Sequence, residues 1–148
     1  MNGSEYCTMK VRYHADIERL SYLEGKGDWI DLRCAEDVHL QAGEMRLISL
    51  GISVQVPQGY EMIIAPRSST FRKYGILQAN SIGVIDESYC GDGDILMFPA
   101  YATRECTIRR GDRICQFRLF RHQPAIRFEE TDRLGNEDRG GFGSTGTA

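Results

Sequence analysis

The chain has 148 residues and a formal net charge of -3 at pH 7, with 26% charged and 41% hydrophobic residues. That length fits one domain burying roughly two-thirds of its unfolded surface, and the mild acidity argues against a protein whose main task is to coat nucleic acid. No run approaches the roughly 20 apolar residues needed to cross a bilayer, and residues 1–13 lack the basic start, apolar core and cleavage site of a secretory signal.

Short β-like runs separated by turn residues dominate the chain. Strands are expected at 8–13, 29–33, 44–50, 52–57, 60–65, 76–79, 95–98, 106–109, 113–120 and 126–129. The clearest period of two sets Tyr60, Met62 and Ile64 against Glu61, Ile63 and Ala65. Turn signals stand at Gln41-Ala42-Gly43, Pro57-Gln58-Gly59 and Arg110-Gly111-Asp112. A helix-like patch covers 16–23, and a short helical turn follows Pro66, capped by Ser68 or Ser69 and ending at Tyr74 ahead of Gly75. Many short strands with little helix point to a sandwich, jelly roll or barrel. Residues 134–148 hold five glycines and one aromatic, Phe142. That composition suits a disordered end, or a flexible arm whose amides and hydroxyls close over a ligand.

The five cysteines (Cys7, Cys34, Cys90, Cys106, Cys115) form no Cys-x-x-Cys pair. With the three histidines (His14, His39, His122) they make neither a disulfide framework nor a zinc signature, so free thiols in a reducing cytoplasm are expected.

Three segments carry chemistry. Ala65-Pro66-Arg67-Ser68-Ser69 sets a fixed cation and two hydroxyls at the expected helix start. Arginine pairs with phosphate in bidentate fashion, although on the local pattern Ser68 and Ser69 serve equally well as caps. Gly83-Val84-Ile85-Asp86 ends an apolar run in an acid and leads into Glu87-Ser88-Tyr89. A carboxylate there can hold and deprotonate a water, and Tyr89 offers a face to a sugar or base; an ordinary strand-to-turn transition has the same composition. Gly111-Asp112-Arg113-Ile114-Cys115-Gln116-Phe117 is a turn feeding a strand, with Gln116 on the face opposite Cys115 and Phe117. Arg113 either pairs with an acid or touches ligand. The arginines between Arg104 and Arg127 alternate with apolar residues, which suits a solvated sheet face or subunit contacts better than a nucleic-acid groove.

Together these segments resemble the ordered motif series of the trimeric deoxyuridine triphosphatase family. Trp29-Ile30-Asp31-Leu32 is similar to the first motif, Pro66-Arg67-Ser68-Ser69 to the second and Asn80 through Gly91 to the third. Gly111-Asp112-Arg113-Ile114-Cys115-Gln116 is similar to the fourth, and Arg139-Gly140-Gly141-Phe142-Gly143-Ser144-Thr145-Gly146 to the fifth. In two places the chain departs from the pattern: Asp28-Trp29-Ile30 precedes Asp31 where the family commonly has Ala-Gly, and Glu137 stands where an arginine is often found.

The resemblance implies an all-β jelly-roll domain over 1–133 with one short helix, a flexible glycine-rich arm over 134–148, and a homotrimer whose sites draw on all three chains. It implies cleavage of dUTP to dUMP and pyrophosphate with Mg²⁺, lowering dUTP and supplying dUMP for thymidylate synthesis. Asp86 would hold the attacking water. Asn80, Gly83 and backbone groups around Val84, Ile85 and Asp94 would read uracil, with Tyr89 under the deoxyribose. Arg67, Ser68, Ser69 and Gln116 would hold the triphosphate, and Asp31 would reach Mg²⁺ through water. Phe142 would stack over uracil, while Arg139, Gly143, Ser144 and Thr145 approach phosphate. Two alternatives share the fold. A dCTP deaminase relative would need a group activating water at C4 of cytosine, for which Glu87 is the nearest candidate. A nucleotide-responsive protein binding a regulator would use the same trimer. No nucleic-acid or membrane partner is expected.

Overall fold

The computed structural model of the chain describes residues 6–23, 25–141 and 143. In chain order these form β1 (Lys10–Tyr13), β2 (Ile30–Arg33), β3 (Val38–Leu40), β4 (Met45–Ser49), β5 (Ile52–Gln55) and β6 (Tyr60–Pro66). Then come α1 (Thr70–Tyr74), β7 (Ile76–Gln78), β8 (Gly83–Ile85), β9 (Met97–Ala102), β10 (Cys106–Ile108) and β11 (Arg113–Arg121). The fold is an all-β jelly roll with one short helix. Its strands pair antiparallel as β2-β11-β6-β8, β4-β9-β7, β1-β5 and β10-β3. None of the described helices is long and apolar enough to cross a membrane.

Alternation places the core between the sheets. Phe98, Ala100 and Ala102 of β9 point inward with Ile76 and Gln78 of β7, where they meet Leu32, Ile52, Met62, Ile64 and Ile114. Each large aliphatic side chain taken fully out of water contributes about 1.5–3 kcal/mol. The opposite face of β4-β9-β7 exposes Met45, Leu47, Leu77, Met97 and Tyr101, and Tyr101 lies level with both Met45 and Leu77.

Two expected elements are absent. Residues 16–23 form no helix: only Ile17 is buried, and the segment is tied extended by the Leu20 amide donating to the Tyr13 hydroxyl at 2.8 Å and by Arg19 over the Tyr13 ring. Residues 126–129 form no strand: among the described residues they pair with no other strand. The strand expected at 95–98 begins at Met97, since Asp94 to Leu96 are taken up by a turn and by main-chain bonds to Leu50 and Ile52. Strands β3 and β8, three residues each, are too short to show a period.

Helix α1 ends as expected, with Gly75 left-handed at φ 69° and its amide bonded to the Phe71 carbonyl. Its start differs. Ser69 occupies the N-cap position without a side-chain cap bond, and the Ser68 and Ser69 hydroxyls have no partner among the described residues.

Candidate active site

The candidate residues gather at the two ends of β6. Toward Pro66, β6 pairs with β11 and β11 with β2, so that Asp31, Gln116 and Ala65 stand level and on one face. A β-bulge between Arg113 and Cys115 sets Arg113, instead of Ile114, opposite Arg33. Such a bulge re-aims a side chain, and the Arg113 guanidinium reaches Asp31 Oδ2 at 3.3 Å. Arg67, just past β6, brings its Nε to Asp31 Oδ1 at 3.0 Å. The Asp31 side chain is only 14% exposed, so this two-armed clamp is partly shielded from water. Gln116 donates from Nε2 to the Pro66 carbonyl at 3.1 Å. The result is a cationic ledge with the Ser68 and Ser69 hydroxyls beside it. A helix of five residues adds little dipole, so an anion here would be held mainly by Arg67 and the hydroxyls.

At the other end, Ile85 pairs with Met62, which sets Asp86 beside Glu61 and Tyr60. The Ser88 hydroxyl and amide both donate to Asp86 Oδ2, and the Tyr89 amide donates to the Asp86 carbonyl, closing a tight turn. The Ser88 hydroxyl, then its amide, holds the Asp86 carboxyl below the usual aspartate range, so this exposed group is ionised at neutral pH. Glu87 points away and accepts the Gly59 amide at 2.8 Å.

Between the ends lies the hairpin around β8. With β6 on one side and, among the described residues, no strand on the other, β8 stands at the edge of its sheet. A Cβ on Gly83 would come 3.3 Å from Ile64 Cβ and 3.8 Å from Asn80 Nδ2, so glycine keeps the backbone close beneath Asn80. Ser81 is held at φ 65° in the turn leading to β8. Buried Gln78 donates to the Ile64 carbonyl, while its Oε1 lacks a partner among the described residues. The Asp94 carboxylate accepts the Gly91 amide at 2.9 Å and closes the loop after Tyr89, whose hydroxyl donates weakly to the Ile95 carbonyl at 3.4 Å.

Six residue steps along β6 separate Glu61 from Arg67, roughly 20 Å at about 3.3 Å per residue. No pair of side chains closes that distance onto one phosphate. Asp86 and the Arg67 ledge of a single chain therefore stand at opposite ends of β6.

A family model described as dUTPase matches residues 29–146. The SPbeta prophage-derived deoxyuridine 5'-triphosphate nucleotidohydrolase YosS of Bacillus subtilis (strain 168) is 53% identical over 140 residues, covering 94% of this chain and 98% of that protein. The chain belongs to the dUTPase family. The deoxyuridine 5'-triphosphate nucleotidohydrolase of Finegoldia magna is 41% identical over 121 residues, 79% of this chain and 83% of that protein. A Staphylococcus bacteriophage 80alpha dUTPase with dUPNHPP superposes with a TM-score of 0.77 at 20% identity, over 94% of this chain and 98% of that one, a likeness of fold. A dUTPase from phage phi11 of S. aureus, described as coordinating a structural Mg(II) ion, gives a TM-score of 0.74 at 17% identity, over 86% and 99%.

Within this dUTPase fold, the fifth motif is described only in part. Arg139 is exposed and donates from Nε to the neighbouring Gly140 carbonyl at 3.4 Å, and Gly143 has φ 89°. Phe142, Ser144 and Thr145 lie outside the described residues. Among the described residues no group of three or more His, Cys, Asp or Glu side chains is arranged to hold a metal. Both Asp31 oxygens are paired with arginines, so the lone pairs left to it fit a hydrated ion held through water and not a direct metal bond. Thr70, Gln78 and Ser88 carry no signal in the sequence: each is an uncharged polar residue whose role depends on what the fold brings to it.

Proposed function

We propose that the chain is a dUTP diphosphatase, hydrolysing dUTP to dUMP and pyrophosphate at a site shared between copies of a homotrimer. The observation that carries the chemistry is Asp86, an ionised and unburied carboxylate at the end of an edge strand. In this reading Asp86 orients a water in line with the α-phosphate and accepts its proton as the oxygen–phosphorus bond forms. The bond from α-phosphorus to the bridging oxygen then breaks, and its electron pair leaves with pyrophosphate. The low basicity of Asp86 suits a group that positions the water and takes the proton only as attack proceeds.

The outer edge of β8, with Asn80 and the backbone of Val84 and Ile85, would read the uracil edge, and the Gly83 contact leaves little depth for a larger base. Tyr89 would pack under the sugar and exclude a 2′-hydroxyl. Arg67, Ser68, Ser69 and Gln116 of a neighbouring copy would hold the triphosphate, its negative charge attracted to an arginine already oriented by Asp31. Asp31 would hold Mg²⁺ through water, and the ion would supply charge neutralisation to the leaving pyrophosphate. The arm over 134–148, with Arg139, Phe142, Gly143 and Ser144, would close over the nucleotide and exclude bulk water.

Two observations support shared sites: the roughly 20 Å between the two ends of β6, and the apolar outer face of β4-β9-β7, which a neighbouring copy would cover. Burial pushes the Cys34 thiol up to about 11 and raises that of Cys115 well above the ordinary thiol range, which keeps both unreactive in the cytoplasmic setting proposed here.

The test is product analysis with Mg²⁺ and dUTP, dTTP, UTP or dCTP in parallel. Release of dUMP and pyrophosphate from dUTP alone is expected. No cleavage of dUTP by folded protein, or ammonia release from dCTP, overturns the reading. Light scattering is expected to give three copies.

A further inference from the structure

Arg67 belongs to neither β6 nor α1, so neither element fixes its backbone. What fixes it is the residue three places on. The Thr70 side chain is 1% exposed, and its Oγ1 accepts the Arg67 amide at 2.9 Å while the Thr70 amide donates to the Arg67 carbonyl at 3.1 Å. These reciprocal bonds lock the turn from both ends. The hydroxyl proton goes across the fold to the Ile114 carbonyl at 2.9 Å. Ile114 is the extra residue of the bulge that turns Arg113 toward Asp31. One buried hydroxyl thus touches the backbone origin of both arms of the Asp31 clamp. A hydroxyl has one proton to donate, and here it is spent on Ile114. The oxygen can still accept, so both bonds are made at once.

We propose that Thr70 is a positioning residue for dUTP hydrolysis, aiming Arg67 and Arg113 at Asp31 so that Arg67 meets the substrate's phosphates already oriented. The proposal rests on the reading of the chain as a dUTP diphosphatase. Thr70 touches no substrate and acts only through Arg67 and the bulge. Valine has the same shape but offers neither bond, and it would leave an amide and a carbonyl unpaired where little water reaches them. Serine keeps the hydroxyl and loses only a methyl group.

The experiment measures the affinity of wild-type protein, Thr70→Val and Thr70→Ser for a non-hydrolysable dUTP analogue and for deoxyuridine, which has no phosphate. The two Thr70 variants are then repeated in an Arg67→Ala background. Thr70→Val is expected to weaken the triphosphate about tenfold, the scale of a buried polar group losing its partner, and deoxyuridine by less than about twofold. Thr70→Ser is expected to restore most of the loss. In the Arg67→Ala background Thr70→Val should add almost nothing, because the side chain it aims is gone. Should Thr70→Val not fold, Thr70→Ala deletes the same hydroxyl with a smaller side chain. Equal loss for both ligands, no loss for either, no rescue by serine, or full additivity with Arg67→Ala each overturns the proposal. Absence of dUTP cleavage by the wild-type protein is a different outcome, and it sinks the assigned reaction instead.

Discussion

The two ends of β6 are built in opposite ways. At the Pro66 end Asp31, Arg67, Arg113 and Gln116 all have partners, and a buried threonine fixes the backbone beneath them. At the Tyr60 end Asp86 stands open to solvent, steadied only by the turn it begins. The first arrangement is preorganised, so its cations need not be gathered when an anion arrives. The second keeps a carboxylate hydrated and ionised, as a group that must deliver a water requires. In the proposed reading the difference would separate grip from chemistry, with the two halves of one reaction at opposite ends of a strand.

Substitutions should respect that separation. Asp86→Asn is expected to have the largest effect, a loss of about 10²–10⁴-fold in kcat with the affinity for a non-hydrolysable dUTP analogue nearly kept. Pyrophosphate release and equilibrium binding measure the two quantities, and a collapse of binding instead of turnover would break the distinction. Arg67→Ala should do the reverse, weakening the triphosphate analogue by about ten- to a hundredfold, as loss of a charge-assisted contact implies. It should also lower the Tm, because the shielded Asp31 is left with Arg113 alone.

Tyr89→Ala should narrow the preference for dUTP over UTP by roughly tenfold in kcat/KM, a change read by competing the two nucleotides. The smallest effect is on pH. Ser88 holds the Asp86 carboxyl low, so the acid limb of the wild-type rate falls below the ordinary aspartate pKa. Ser88→Ala should move that limb to higher pH. The same sign governs stability. A lowered folded pKa stabilises fully above the unfolded value, and the contribution is lost as pH falls through the folded one. For so exposed a group this part of the effect is slight.

Most strands were legible because their turns are strongly marked, as at Pro57-Gln58-Gly59 before β6. Arg67, Asp86 and Gln116 were legible as a candidate site only through the ordered motif series, since an acid ending a strand is by itself an ordinary strand-to-turn transition. Their placement was not. That Asp86 and Arg67 diverge depends on β8 pairing antiparallel to β6 in one register, which no local pattern dictates. The Asp31 clamp depends on a bulge at Ile114, a residue that reads as one more apolar position of the strand. Residues 126–129 misled for the converse reason: β-like composition predicts a strand, but a strand also needs a paired neighbour, and among the described residues they have none.

The central claim is that Asp86 and Arg67 of one chain serve different sites, and mixing two dead variants tests it most directly. Asp86→Asn would lack turnover, and Arg67→Ala, assayed at dUTP well below its raised KM, would be nearly silent as well. Unfolded together in equal amounts and refolded into mixed oligomers, they should regain about a quarter of the wild-type sites, since each site draws its two residues independently from the mixture. Activity no higher than that of the two variants assayed apart would contradict the account, because it would mean that both residues must come from the same chain.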